Sequence, residues 1–259
     1  MGSACPEEAR RAVPKGADPV RVDCILPARL SSTRFPGKPL ALVAGVPLVV
    51  RAARQALAAG CFARVAVACE DREIASVCGE CGIEALVTPQ FPTGTDRVAW
   101  AARQMGSQWV VNLQGDEPLF PPEVLTEIVK LLPSCPEALW TCAEGSPLTE
   151  EDLTDPDIVK IRLEDLTGTV TEALDFHRAL PPELVAASRV HVGLYAGRRE
   201  VLERFASLPQ TAREEARRIE PLRALDNGMR VRALVRDIPR IAVDRPEHID
   251  QVERRLAGM

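Results

Sequence analysis

Four short stretches of this chain gather residue types suited to a polyanion and a hard cation. The first is Pro27-Ala28-Arg29-Leu30-Ser31-Ser32-Thr33-Arg34-Phe35-Pro36-Gly37-Lys38-Pro39, with three cations among small hydroxyl residues and a glycine. Fixed charge, hydroxyl and backbone donors, and little bulk are what a phosphate chain requires. This stretch matches neither the Walker A pattern nor Gly-x-Gly-x-x-Gly, so phosphate binding here is of another kind. A solvated basic loop would share its composition. The second stretch is Asn112-Leu113-Gln114-Gly115-Asp116-Glu117-Pro118. A carboxylate just past a strand can hold Mg2+, which takes one or two carboxylates plus substrate phosphates, and Gly115 would let a ligand approach the backbone. An Asp in a turn or helix cap is as ordinary a reading. Third comes Thr93-Gly94-Thr95-Asp96-Arg97, small donors entering a helix whose backbone N–H groups can face a ligand; it is also an unremarked helix start. The fourth, Val243-Asp244-Arg245-Pro246-Glu247, puts another acid after a strand near the end of the chain.

Periodicity predicts the elements that must position these stretches. Apolar runs at residues 20–26, 64–68, 85–87 and 109–113 read as buried strands. Between them, apolar residues at helical spacing predict helices over 47–59, from a cap at Asp71 toward Cys81, and over 95–104. Pro121 and Pro122 open another over 123–132. Such alternation with short connections implies a parallel sheet covered by helices on both faces. Ligands of these sheets lie at the carboxyl ends of the strands, where the first loop falls. Strand candidates at 138–143, 158–163, 169–174 and 191–196 follow without intervening helices, which predicts an antiparallel insert or edge. Helices around 199–205 and 217–225, strands at 231–235 and 239–243 and a helix from Pro246 complete the chain. The expected organisation is a disordered extension over 1–21 and a single domain over 22–259, with a subdomain at roughly 145–215.

Composition narrows the field. The 259 residues carry a net charge of −5, with 46% hydrophobic and 27% charged, an ordinary globular balance in a chain long enough to bury a core without metal or disulfides. The acidic balance argues against a nucleic-acid partner. An apolar run of about 18 residues is lacking, which argues against a membrane partner. The first residues are polar and contain proline rather than a signal core, so a cytoplasmic location is expected. Eight cysteines give no disulfide framework, and Cys78 and Cys81 form a C-x-x-C without a second pair or a histidine at ligand spacing.

Together, the four stretches strongly resemble the motifs of the 3-deoxy-manno-octulosonate (Kdo) cytidylyltransferases. The family pattern IPAR-x-x-STR-x-PGKPL appears as Ile25-Leu26-Pro27-Ala28-Arg29 and Ser32-Thr33-Arg34 through Gly37-Lys38-Pro39-Leu40. SGTDR appears as Thr93 to Arg97, and VN-x-QGDEP as Val111 to Pro118. HLGIY appears as His191-Val192-Gly193-Leu194-Tyr195, and VDTPEDL as Val243 to Ile249. The resemblance implies an α/β, three-layer Rossmann-like nucleotide-diphosphosugar transferase fold, its sheet mostly parallel with a small antiparallel insert. It implies a CTP-dependent transfer in which an acceptor oxygen attacks the α-phosphorus and pyrophosphate leaves. By the family pattern, Arg29, Lys38 and Asp116 are catalytic, and Asp116 and Asp244 hold Mg2+. Pro27, Ala28, Arg29, Ser32, Arg34, Lys38, Gly94, Thr95, Asp96 and Gln114 surround the nucleotide, and the protein is a homodimer.

The acceptor half departs from the family. A Ser of the SRAPIP-type segment is His177 here, and only nine residues, 182–190, separate Phe176-His177-Arg178-Ala179-Leu180-Pro181 from His191. The family's LEQLR is Ile219-Glu220-Pro221-Leu222-Arg223, which replaces a hydrogen-bonding Gln with a Pro lacking even an N–H. A sugar acid that loses hydroxyl partners binds less well. Arg178, His191, Tyr195, Glu220 and Arg223 are expected to form a mostly cationic acceptor pocket, and the acceptor to be a small phosphonate such as phosphonoformate. Kdo is the alternative acceptor, and a non-catalytic CTP sensor the alternative of another class. Guanylyl- and uridylyltransferases usually open with a Gly-rich loop instead of Pro27-Ala28-Arg29.

Overall fold

The computed structural model describes residues 21–31, 34–238 and 242–258. The expected N-terminal extension lies outside these residues except for Arg21, as does most of the strand expected at 239–243. β1 (Val22–Ala28) is buried on both faces, as its mostly apolar run predicts, with Asp23 its one charged residue. After the first loop, a short hairpin of β2 (Leu42–Val43) and β3 (Val46–Pro47) leads into α1 (Leu48–Ala58). Then follow β4 (Arg64–Cys69), α2 (Arg72–Glu80), β5 (Glu84–Val87), α3 (Gly94–Met105), β6 (Trp109–Leu113) and α4 (Pro122–Leu131). The second half runs β7 (Leu139–Glu144), α5 (Glu150–Thr154), β8 (Lys160–Leu163), β9 (Val170–His177) and β10 (Ser188–Arg198). It ends with α6 (Arg199–Ser207), α7 (Ala212–Arg217), α8 (Leu222–Asp226), β11 (Val231–Arg236) and α9 (Glu247–Ala257).

The strands form one nine-stranded sheet in the order β5-β4-β1-β6-β10-β7-β11-β9-β8. Alternation along β1 separates two cores. Val22, Cys24 and Leu26 pack with Val49, Ala53, Ile74 and Ile128 of α1, α2 and α4, while Ile25 meets Val98, Ala102, Leu202 and Phe205 of α3 and α6. Three layers result. The sheet is mixed, and the expectation of a mostly parallel arrangement holds for part of it. β5, β4, β1 and β6 are parallel, and so are β7 and β11. β10, however, runs antiparallel to β6, β7 and β8, and β9 antiparallel to β11 and β8. β8, β9 and β10 follow one another without the long helical crossover that parallel neighbours require, so they pair antiparallel. The antiparallel strand is thus central and not confined to an insert or edge.

One expected helix is shorter than read. Arg218 adopts a left-handed φ of 54°, and Pro221 follows, so α7 ends at Arg217 and, of the helix read over 217–225, only α8 from Leu222 forms. Among the described residues no helix is long and apolar enough to cross a membrane.

Candidate active site

The carboxyl ends of β1 and β6 open into a cleft of about 330 Å³. Pro27, Ala28 and Arg29 form one wall, Arg34 and Lys38 the rim, and Gln114, Gly115 and Asp116 the other wall, with Gly94 and Asp244 completing it. Of the nucleotide-side candidates, Ser32 lies outside the described residues. The first loop is shaped locally. Its Leu30 N–H donates to Asp71 Oδ2 at 2.8 Å, and Gly37, at φ 71°, donates back to Leu30 O at 3.1 Å. Asp71 was expected to cap α2; its side chain makes no cap bond and anchors this loop instead. Glycines at the walls serve close approach. A Cβ on Gly94 would stand 3.2 Å from Pro27 Cγ, and one on Gly115 3.2 Å from Pro27 O.

The centre of the cleft is electrostatic. Lys38, swung in by the turn at Lys38–Leu40, places Nζ 2.6 Å from Asp116 Oδ2 and 3.4 Å from Asp244 Oδ1. Val243 N donates to Asp116 O at 2.9 Å, which ties the distant segment to the end of β6. Arg34 reaches Asp244 at 3.6 Å and Asp157 at 3.0 Å. Burial opposes the Lys38 ammonium, but the two carboxylates outweigh it and hold its pKa above the ordinary value. Glu117, behind them, is pushed up to about 8 by burial, helped by the charges of Asp116 and Asp244. Two carboxylates converging on one point suit a hard cation that completes its shell with phosphates and water. Among the described residues no group of three His, Cys, Asp or Glu side chains could hold a metal alone.

The start of α3 differs from expectation. Thr93 and Asp96 form a capping box, so the Asp96 carboxylate accepts from Thr93 N at 3.2 Å and also meets Arg223 at 3.1 Å. Thr95 is 1% exposed, and its N–H and hydroxyl both go to Glu220. The N–H groups of Thr93, Thr95 and Asp96 and the Thr95 hydroxyl are therefore engaged within the protein, while Gly94 lines the cleft. Arg97, quoted in the motif without an assigned role, lines the cleft; its guanidinium is held by Thr88 and Glu70.

On the acceptor side, the expected cations are engaged elsewhere. Arg178 donates to four carbonyls, those of Arg217, Pro156, Asp157 and Arg218, at 2.9 to 3.2 Å. Arg223 is 2% exposed and pairs with Glu214 and Asp96. His191 bonds Thr141 at 2.9 Å, stacks on Tyr195 and meets the edge of Phe176; burial pushes its pKa down to about 4, so it is neutral. Buried Tyr195 and half-buried Glu220 adjoin a small void that Pro221 also lines. Of the five residues expected around the acceptor, the structure brings Tyr195 and Glu220 to one void, while each arginine has found fixed acceptors instead. Arg223→Met leaves Glu214 and Asp96 without their buried partner and is expected to cost about 3–5 kcal/mol of stability, checked by urea unfolding.

The sequence pattern of the cytidylyltransferase family matches residues 24–231. A 3-deoxy-manno-octulosonate cytidylyltransferase of Azorhizobium caulinodans is 41% identical over 90% of this chain and 95% of its own length. One from Anaeromyxobacter is 39% identical, covering 92% and 98%. The chain belongs to the Kdo cytidylyltransferase family. Its fold superposes on a CMP:2-keto-3-deoxy-manno-octonic acid synthetase solved with CTP, with a TM-score of 0.81, 28% identity and coverage of 92% and 99%. The fold is also that of UDP-glucose pyrophosphorylase, with a TM-score of 0.67 at 15% identity, covering 92% of this chain and 99% of that one. The protein is accordingly a CTP-dependent nucleotidyltransferase with an α/β nucleotide-sugar transferase fold.

Proposed function

We propose that this cytidylyltransferase joins CMP to a sugar acid of the 3-deoxy-manno-octulosonate type and releases pyrophosphate. The observation that carries the transfer is the meeting of Asp116 and Asp244 on Lys38 inside the cleft closed by Pro27-Ala28-Arg29. Arg29 and Lys38 would neutralise the triphosphate, and the walls at Ala28 and Gln114 would hold the nucleoside. Asp116 and Asp244 would hold Mg2+, which when bound neutralises developing phosphoryl charge and orients the reacting oxygens. The protein's own contribution is positioning: fixed charges that need no reorganisation as the acceptor oxygen attacks in line. We expect a homodimer, checked by light scattering.

Two things favour a polyhydroxylated acceptor. The relatives named above act on 3-deoxy-manno-octulosonate, and the cations a small phosphonate would need are tied up, Arg178 by carbonyls and Arg223 by carboxylates. Neutral His191, Tyr195 and the Glu220 region suit hydroxyl groups better than a dense anion. The phosphonoformate reading thereby loses its physical basis and becomes the comparison. Pyrophosphate release with CTP and Mg2+ is expected with Kdo and absent with phosphonoformate. Release with phosphonoformate alone would overturn this assignment, and CTP binding with no transfer to any acceptor would return the sensor.

A further inference from the structure

A chain of hydrogen bonds runs beneath the cleft from α3 to its wall. Glu220 Oε1 accepts from Thr95 N at 3.4 Å and Oε2 from the Thr95 hydroxyl at 2.9 Å. A carboxylate only accepts, so the single Thr95 hydroxyl proton points toward Glu220. The Thr95 oxygen is then left as acceptor for Asn112 Nδ2, at 3.1 Å. This turns the Asn112 carbonyl the other way, where it accepts from Gln114 Nε2 at 3.1 Å. Each link dictates the next. The Gln114 carbonyl must therefore face away from Asn112, on the Gly94 side of the cleft, with Oε1 3.9 Å from where a Cβ on Gly94 would stand. Gly193 completes the clamp, since a Cβ there would come within 3.0 Å of Gln114 Cγ. It lies at the irregular register of β10 and accepts from Gln114 N at 3.4 Å.

We infer that Glu220 is a positioning residue which, through Thr95 and Asn112, locks Gln114 as a fixed hydrogen-bond acceptor for a hydroxyl or amino group of a bound ligand. The inference rests on the cytidylyltransferase reading of the cleft. It also gives a reason why an acid follows Ile219 even though Pro221 has removed the neighbouring amide: the acid's partners lie on α3, across the cleft floor.

A double-mutant cycle tests it. Gln114→Met removes the amide at similar length, and Thr95→Val removes the hydroxyl at similar shape. CTP affinity is read by calorimetry, acceptor KM by pyrophosphate release, and melting temperature separately. Each single variant is expected to weaken one ligand about tenfold, and the double no more than either alone. Loss in CTP affinity places the donor on the nucleotide, and loss in acceptor KM places it on the sugar acid. Additive losses, about a hundredfold in the double, would overturn the relay, as would a Gln114→Met variant that binds both ligands normally. Should Thr95→Val fail to fold, Glu220→Gln takes its place in the same cycle. Wild-type protein that binds no CTP would overturn the functional reading itself, a result distinct from additivity.

Discussion

Asp116→Ala and Asp244→Ala are each expected to lower turnover by about 10³-fold or more while the protein stays folded. One carboxylate stands at mid-chain and the other near its end, and both lie within 3.4 Å of the Lys38 ammonium. A phosphoryl-transfer site of this kind works through placed charge, and one missing donor alone typically costs about 10²–10³. Stability responds differently. The side chains are 25% and 29% exposed, and loss of either leaves Lys38 paired with the other, so the change in folding free energy should stay near about 1 kcal/mol. Pyrophosphate release and a melting curve on the same samples separate the two effects. Full turnover in either variant would refute the role given to that carboxylate.

The carboxylate pair was legible before the fold because its two stretches carry family motifs, whereas spacing alone left each Asp an ordinary turn acid. β1, β4 and β6 were equally legible, since strands buried on both faces read as mostly apolar runs, here broken only by Asp23, Arg64 and Asn112. What could not be read was direction. An apolar run does not say which neighbour it joins, so the central antiparallel place of β10 appeared only in the sheet order. Charged side chains were misjudged for a related reason. Arg178 and Arg223 look available in a linear chain, and only the tertiary structure brings carbonyls of residues 156–157 and 217–218 to one and Glu214 to the other. Asp71 and Thr95 illustrate the converse. Their cap-like positions are real, but their side chains satisfy donors and acceptors remote in sequence.

Lys38→Met should produce two opposite changes: turnover falling by about 10²–10⁴ and divalent-ion affinity of the nucleotide-free protein rising about tenfold. The first follows from losing a fixed positive charge aimed at the triphosphate. The second follows from what the ammonium does in the free cleft, where it neutralises Asp116 and Asp244 at once. At a surface-like dielectric, unit charges about 4 Å apart interact by ~4 kcal/mol. Solvent reaching these part-exposed side chains reduces that to something nearer ~1.4 kcal/mol, or tenfold. With the charge gone, a cation bound between the carboxylates no longer competes with it. Titration with Mn2+, followed by the paramagnetic signal of the free ion, reads this directly. Lys38→Arg keeps the charge and should leave the ion affinity near the wild-type value while still slowing the reaction. Metal affinity in Lys38→Met equal to wild type would mean that the ammonium and the ion do not share a site, and the cation would have to be placed elsewhere in the cleft.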